Sequence, residues 1–166
     1  MNSFSGVLFL HAIPKASAEE LDVILKRLRV KDKGHEWNLQ PVIVGCVKTV
    51  IDWQAATDVA PQLVTELAKL GNIRFEVTLH QTSQQVGRRW SFVPGLGVFS
   101  AAVDEAGNLL IAENQLQNAL YGSGNNLLQT QSALRKLLGT AWDDELERFR
   151  VQSYEPVVIG WMAGLG

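Results

Sequence analysis

Val7-Leu8-Phe9-Leu10 is apolar without alternation, the pattern of a central strand covered on both faces, and it ends at His11-Ala12-Ile13-Pro14, where proline breaks it. Leu21, Ile24, Leu25 and Leu28 then recur at helical spacing, which predicts a helix over 18–29, with Ser17 and Glu20 spaced as a capping box. Residues 37–44 and 46–53 read as strands, the second carrying Val47, Thr49, Ile51 and Trp53 on one face, with Gly45 as the turn between them. A second helix is expected from Asp58 as its cap and Pro61 in its first turn. It would turn Leu63, Leu67 and Leu70 inward and stop at Gly71-Asn72. Ile73, Phe75, Val77 and Leu79 alternate with Arg74, Glu76, Thr78 and His80, as a half-buried strand requires.

This order is βαββαβ, the ferredoxin-like arrangement of two split β-α-β units. After the polar stretch 81–87 the pattern changes. Residues 88–93 and 98–103 read as two strands about a Pro94-Gly95 turn, and Gly107-Asn108 turns the chain into Leu109-Leu110-Ile111. Helices follow over 113–121, 127–138 and 141–149. The first two are separated by Ser123-Gly124-Asn125-Asn126 and the last two by Gly139 as C-cap and Thr140 as N-cap. The predicted fold class is α+β: a ferredoxin-like half over 1–80 merged with a C-terminal β-hairpin and helical half over 88–166, in one compact domain, 1–166.

A chain of 166 residues with 46% hydrophobic and 19% charged residues can bury a sizeable core. The formal charge of −2 and pI near 5.9 give no general electrostatic drive toward nucleic acid or anionic lipid, so any anion site must be local. No apolar run is long enough to span a bilayer, and Val7 to Leu10 is too short for a secretory signal, so a cytoplasmic location is expected. The lone Cys46 excludes an internal disulfide.

Candidate chemistry is sparse. Asp143, Asp144 and Glu145 could act as paired carboxylates in acid-base work or hold Mg²⁺, but carboxylates in a first turn also meet the positive end of the helix dipole, and Asp143 follows Thr140 at capping spacing. Capping or protein contact is the favoured reading, with Arg148 and Arg150 complementing the other end and Asp144 spaced to pair with Arg148. His11, His35, His80 and Cys46 have no zinc-like spacing, so no metal and no cofactor are expected. His11 ends a central strand just before Lys15 and a helix N-terminus, where an anion could be received, although a core histidine is the more common outcome. Arg88 shares a face with Trp90 and Phe92 and is expected to lie across the aromatic edge. Arg89 faces the other way and is the better ligand or partner residue. Gly95-Leu96-Gly97 and Gly122-Ser123-Gly124 lack the context of a nucleotide-binding loop, and the strand Ile73-Arg74-Phe75-Glu76-Val77-Thr78 lacks the aromatic and basic residues of an RNA-stacking sheet. Trp142, directly after the expected cap, should be largely buried under the turn.

Several spaced motifs together resemble a known family. Gly6-Val7-Leu8-Phe9-Leu10-His11 with Pro14, Arg74-Phe75-Glu76-Val77-Thr78, the Trp90/Pro94/Leu96-Gly97/Phe99 pattern, Gly107-Asn108, and Leu138 to Glu147 through Phe149-Arg150 are similar to an uncharacterised actinobacterial family, the domain of unknown function 3145. That family carries no activity to transfer. The chain departs from its pattern after Trp161, where Met162-Ala163-Gly164 stand in place of basic residues. The resemblance implies a link to fatty-acid synthesis and so suggests the small acidic carrier protein of that process as a partner. Composition and spacing say nothing of it.

The leading expectation is a non-catalytic cytosolic binding or regulatory module whose partner surface involves Arg89, Trp142, Asp143, Asp144 and Glu145. The alternative is a small-molecule or anion-binding protein, possibly an enzyme, with a site where His11, Lys15 and Arg88 or Arg89 converge. A deep pocket enclosing those residues would favour the alternative.

Overall fold

In the computed structural model the described residues are 4–12, 14–32, 35–36, 43–44, 49–55, 59–151 and 157–158. The first strand, β1 (Phe4–Ala12), explains its own apolar run. Leu8 and Leu10 are fully buried on one side, and His11 is equally buried on the other. Helix α1 (Lys15–Arg27) follows, then the short strands β2 (Lys31–Asp32), β3 (His35–Glu36) and β4 (Ile43–Val44), and then β5 (Thr49–Ala55). Next come α2 (Val59–Lys69), β6 (Arg74–Leu79), β7 (Gly87–Val93), β8 (Gly97–Val103) and β9 (Leu109–Leu110). The chain continues through α3 (Glu113–Tyr121), α4 (Leu127–Leu138) and α5 (Thr140–Val151) to β10 (Val157–Val158).

The architecture is α+β around one antiparallel sheet of order β5-β1-β6-β7-β8-β9, to which both predicted halves of the chain contribute strands. β5 and β6 are each antiparallel to β1, so they run parallel to one another with β1 between them, and α2 makes the crossover. Three of the four strands in the predicted βαββαβ order, β1, β5 and β6, therefore stand together. The described part of the predicted strand 37–44 is β4, which pairs with β10 in a separate two-stranded sheet. Residues 37–42, Gly45, Cys46 and Asp58 lie outside the described residues.

One core lies between the sheet and the pair α1 and α2. Leu21 and Leu25 of α1 and Leu63 and Leu67 of α2 meet Leu8, Leu10, Phe75 and Val77 from the strands, all fully buried. Phe75 and Phe92, partners across β6 and β7, stack at 5.4 Å and carry this layer outward. Arg27 donates to Glu66 at 2.8 Å and ties the two helices at their solvent side.

The expected capping box of α1 does not form. Pro14 occupies the N-cap position with extended backbone, and the helix begins at Lys15, ahead of the predicted start at residue 18. Ser17 is consequently inside the first turn and buried, and its hydroxyl donates to Asn72 Oδ1 at 2.5 Å, pinning α1 to the turn before β6. A tertiary acceptor has replaced the local one.

The junction of α4 and α5 also differs from expectation in one respect. Gly139 serves both helices: it closes α4 in the left-handed region at φ 70°, and its carbonyl accepts from the backbone N–H groups of Trp142 and Asp143 at 3.0 and 3.1 Å. Thr140 is then the first helical residue of α5 and not its cap. A side chain at position 139 is doubly disfavoured, because a Cβ there would lie 2.6 Å from the ring of Phe99.

Candidate functional site

Strand alternation sends adjacent residues to opposite faces of the sheet, and this decides where each candidate residue goes. On the α5 side, β1 shifts register against β6 between Leu10 and Ala12, and His11 is the residue at that irregularity. Its ring is stacked 6.3 Å from Phe9, fully buried, with Nε2 2.5 Å from Oε2 of Glu76. The other carboxylate oxygen of Glu76 lies 3.6 Å from Nε of Arg89, whose guanidinium also donates to Asp143 at the start of α5. A chain of contacts thus runs from the buried imidazole through Glu76 and Arg89 to a half-exposed carboxylate on the helix.

Trp142 sits beside this chain of contacts. Its indole N–H donates to the carbonyl of Gly97 at 2.9 Å, and its ring meets Phe99 at 5.4 Å. It is half-buried, at the edge where α5 meets the β7–β8 hairpin. Asp144 pairs with Arg135 of α4, and Glu145 is half-buried on α5. The side chains of Lys15, Arg148 and Arg150 lie outside the described residues.

Chemically, the α5 side is closed on itself. A histidine held by a carboxylate is the orienting half of a nucleophilic triad, but Nδ1 of His11 is buried without a hydrogen-bond partner among the described residues, none of which presents a hydroxyl or thiol to it for activation. Of the residues expected to form an anion site, His11 and Arg89 both face Glu76, while the side chain of Lys15 lies outside the described residues. The anion they receive is the chain's own Glu76. Among the described residues no group of three His, Cys, Asp or Glu side chains could hold a metal ion, and no helix is long and apolar enough to cross a membrane.

The opposite face holds Arg88, separated from Arg89 by the thickness of the sheet. Its guanidinium carbon lies 5.9 Å from the ring centroid of Trp90, the aromatic contact predicted from their shared face. Arg88 is exposed and, unlike Arg27, Arg89 and Arg135, has no carboxylate partner among the described residues. It borders an open groove of about 500 Å³ lined by Pro61, Leu79, His80, Trp90 and Ala102. A second, shallower depression of about 540 Å³ continues past Pro61 and Trp90 to Val64, Lys69, Val98 and Ser100. Both exist because α2 packs on β6 and leaves β8 incompletely covered, with Val98 45% exposed on a face whose neighbour Trp90 is buried.

Sequence reasoning separated Arg88 from Arg89 correctly and overlooked three participants, Glu76, His80 and Pro61. Glu76 reads as one more polar residue on an alternating strand. The clue to its role is that Val7 to Leu10 predicts cover on both faces, so the polar face of the adjacent strand is also enclosed. His80 and Pro61 gave no signal, since a groove between a helix and a distant hairpin exists only after the sheet is assembled.

These features define an α+β protein with an internally paired charge cluster beneath one helical face and an open, arginine-edged groove on the other. The chain belongs to the family described as protein of unknown function (DUF3145), whose pattern matches residues 7–163. No curated protein and no solved structure matches it.

Proposed function

We propose that the protein is a non-catalytic cytoplasmic binding or regulatory module whose binding surface is the groove beside α2. The observation that carries this reading is the unequal fate of two adjacent arginines. Arg89 is taken up by Glu76 and Asp143, whereas Arg88 lies exposed on Trp90 with its donors directed to no carboxylate of the described chain. An exposed guanidinium at the rim of apolar surface suits an acidic partner, with electrostatics guiding the approach and the apolar wall supplying contact area. Lys69, on the second depression, is already paired with Glu66 at 3.0 Å, so the cationic rim rests on Arg88. We read the first half as ferredoxin-like, on the strength of the β5–α2–β6 crossover over β1, and this arrangement is what leaves the groove uncovered.

The partner of choice is a small acidic protein such as the carrier protein of fatty-acid synthesis. Labelled carrier protein should bind the full chain saturably at low salt and weaken steeply as salt rises, because exposed charge contacts are screened beyond about 8 Å at physiological ionic strength. Arg88→Glu should abolish binding without unfolding the protein. Absence of saturable binding by wild type at low salt, or equal binding by the variant, would remove this partner. The leading expectation of a surface around Arg89, Trp142 and the start of α5 loses ground because those groups already satisfy one another.

A further inference from the structure

We infer that the groove beside Trp90 is also a small-molecule site, and that its ligand is a monocarboxylate with an apolar body. Its volume of about 500 Å³ lies within the ordinary range for metabolite-sized ligands, roughly 300 to 1,000 Å³. Its walls are apolar where they are deep, with Leu79 and Trp90 both buried, and polar where they are shallow, with Gln84, Gln85 and His80 at the margin. A site with a dry floor and a few convergent polar groups selects a ligand that is apolar at one end and polar at the other.

The sign and number of charges follow from Arg88. Among the described residues it is the one arginine lining the groove, it is held against the indole of Trp90, and no carboxylate of the described chain neutralises it. A planar guanidinium presents paired donors that match the two oxygens of a carboxylate, and stacking on an aromatic face orients that fork in advance. One fixed cation balances one negative charge. A phosphate dianion would leave charge uncompensated here, since the remaining polar groups lining this groove are amides and His80. The apolar body would lie along Leu79, Pro61 and Ala102, contributed by β6, α2 and β8.

This site shares Arg88 with the partner surface proposed above but does not depend on it. A carboxylate must enter the groove, whereas a protein can dock on the rim. The full chain should be titrated calorimetrically with 2-naphthoate, 2-naphthamide and inorganic phosphate, with the indole N–H resonance of Trp90, assigned through Trp90→Phe, as a local reporter. The expected result is saturable binding of naphthoate that moves the Trp90 resonance, with naphthamide at least tenfold weaker and phosphate without a saturable isotherm. Arg88→Gln should weaken naphthoate at least tenfold while leaving the melting temperature unchanged. Ala102→Leu, which narrows the groove and keeps Arg88, should abolish naphthoate binding and leave acidic-protein binding intact. No saturable binding of naphthoate, equal binding of the amide, binding of phosphate as tight as that of naphthoate, or indifference to Ala102→Leu would each overturn the inference. Loss of protein binding alone would not bear on it.

Discussion

Oε2 of Glu76 lies 2.5 Å from Nε2 of His11, an imidazole with no exposure to solvent, and the same carboxylate faces Arg89. This pair joins β1 to β6 on the face beneath α5, where the imidazole has no water to take the place of its partner. Glu76→Ala would leave the ring without its partner and cost about 1 to 3 kcal/mol, the penalty for a buried polar group stripped of its hydrogen bond. Glu76→Gln retains an acceptor and should cost less. Urea denaturation of the two variants gives the comparison, and a wild-type midpoint for Glu76→Ala would show that the contact contributes nothing.

Gly139 and Gly95 both have positive φ, at 70° and 86°, but only Gly139 has a side chain in the way. Both substitutions to alanine should incur the left-handed penalty of about 1 to 2 kcal/mol. Gly139→Ala should cost more, because its methyl group would displace Phe99, whereas nothing lies within 4 Å of a Cβ at position 95. Thermal unfolding of the two variants should rank them in that order.

Trp142 combines a packing contact with a directional one. Trp142→Phe keeps part of the contact with Phe99 but loses the hydrogen bond to Gly97, a change of about 1 kcal/mol. Trp142→Ala should cost about 3 kcal/mol, the low end for a large aromatic residue since the ring is only half-buried. Equal losses from the two variants in urea would mean that the ring, beyond its hydrogen bond, contributes little.

Acid should loosen the protein through two identified carboxylates. Asp104 is held below its ordinary value of 3.8 chiefly by the side-chain amide of Asn108, then by the Asn108 backbone N–H at 2.8 Å. Glu66 is held below 4.5, first by the ammonium group of Lys69 and then by Arg27. Because both folded-state pKa values are depressed, their stabilisation is fully present above the unfolded values and is lost as pH falls through the folded ones. Urea midpoints measured downward from pH 6 should hold until about pH 4.5 and then decline. Asp104→Asn should make that decline shallower, and an unchanged slope would contradict the assignment.

The helical half was legible for local reasons. Helices α3 and α4 begin and end where the sequence places them, at Glu113–Tyr121 and Leu127–Leu138, because Asn126 accepts from Gln129 N–H and Gly139 terminates α4 within its own turn. The β7–β8 hairpin was equally readable from Pro94-Gly95 and from the alternation that divided Arg88 from Arg89. α1 was misjudged at its start, because Ser17 has a choice between a local N–H donor partner and the distant amide of Asn72, and only the folded chain offers the second.

What the sequence by itself determined is the five helices, the longer strands, the class α+β and the face on which each residue of those strands lies, since periodicity and capping act over a few neighbouring residues. What the tertiary structure alone decided is which charges meet. His11, Glu76, Arg89 and Asp143 come from four different elements and approach only when strand order, register and the docking of α5 are all fixed. The groove at Arg88 likewise follows from where α2 ends across a six-stranded sheet, a distance that no local pattern encodes.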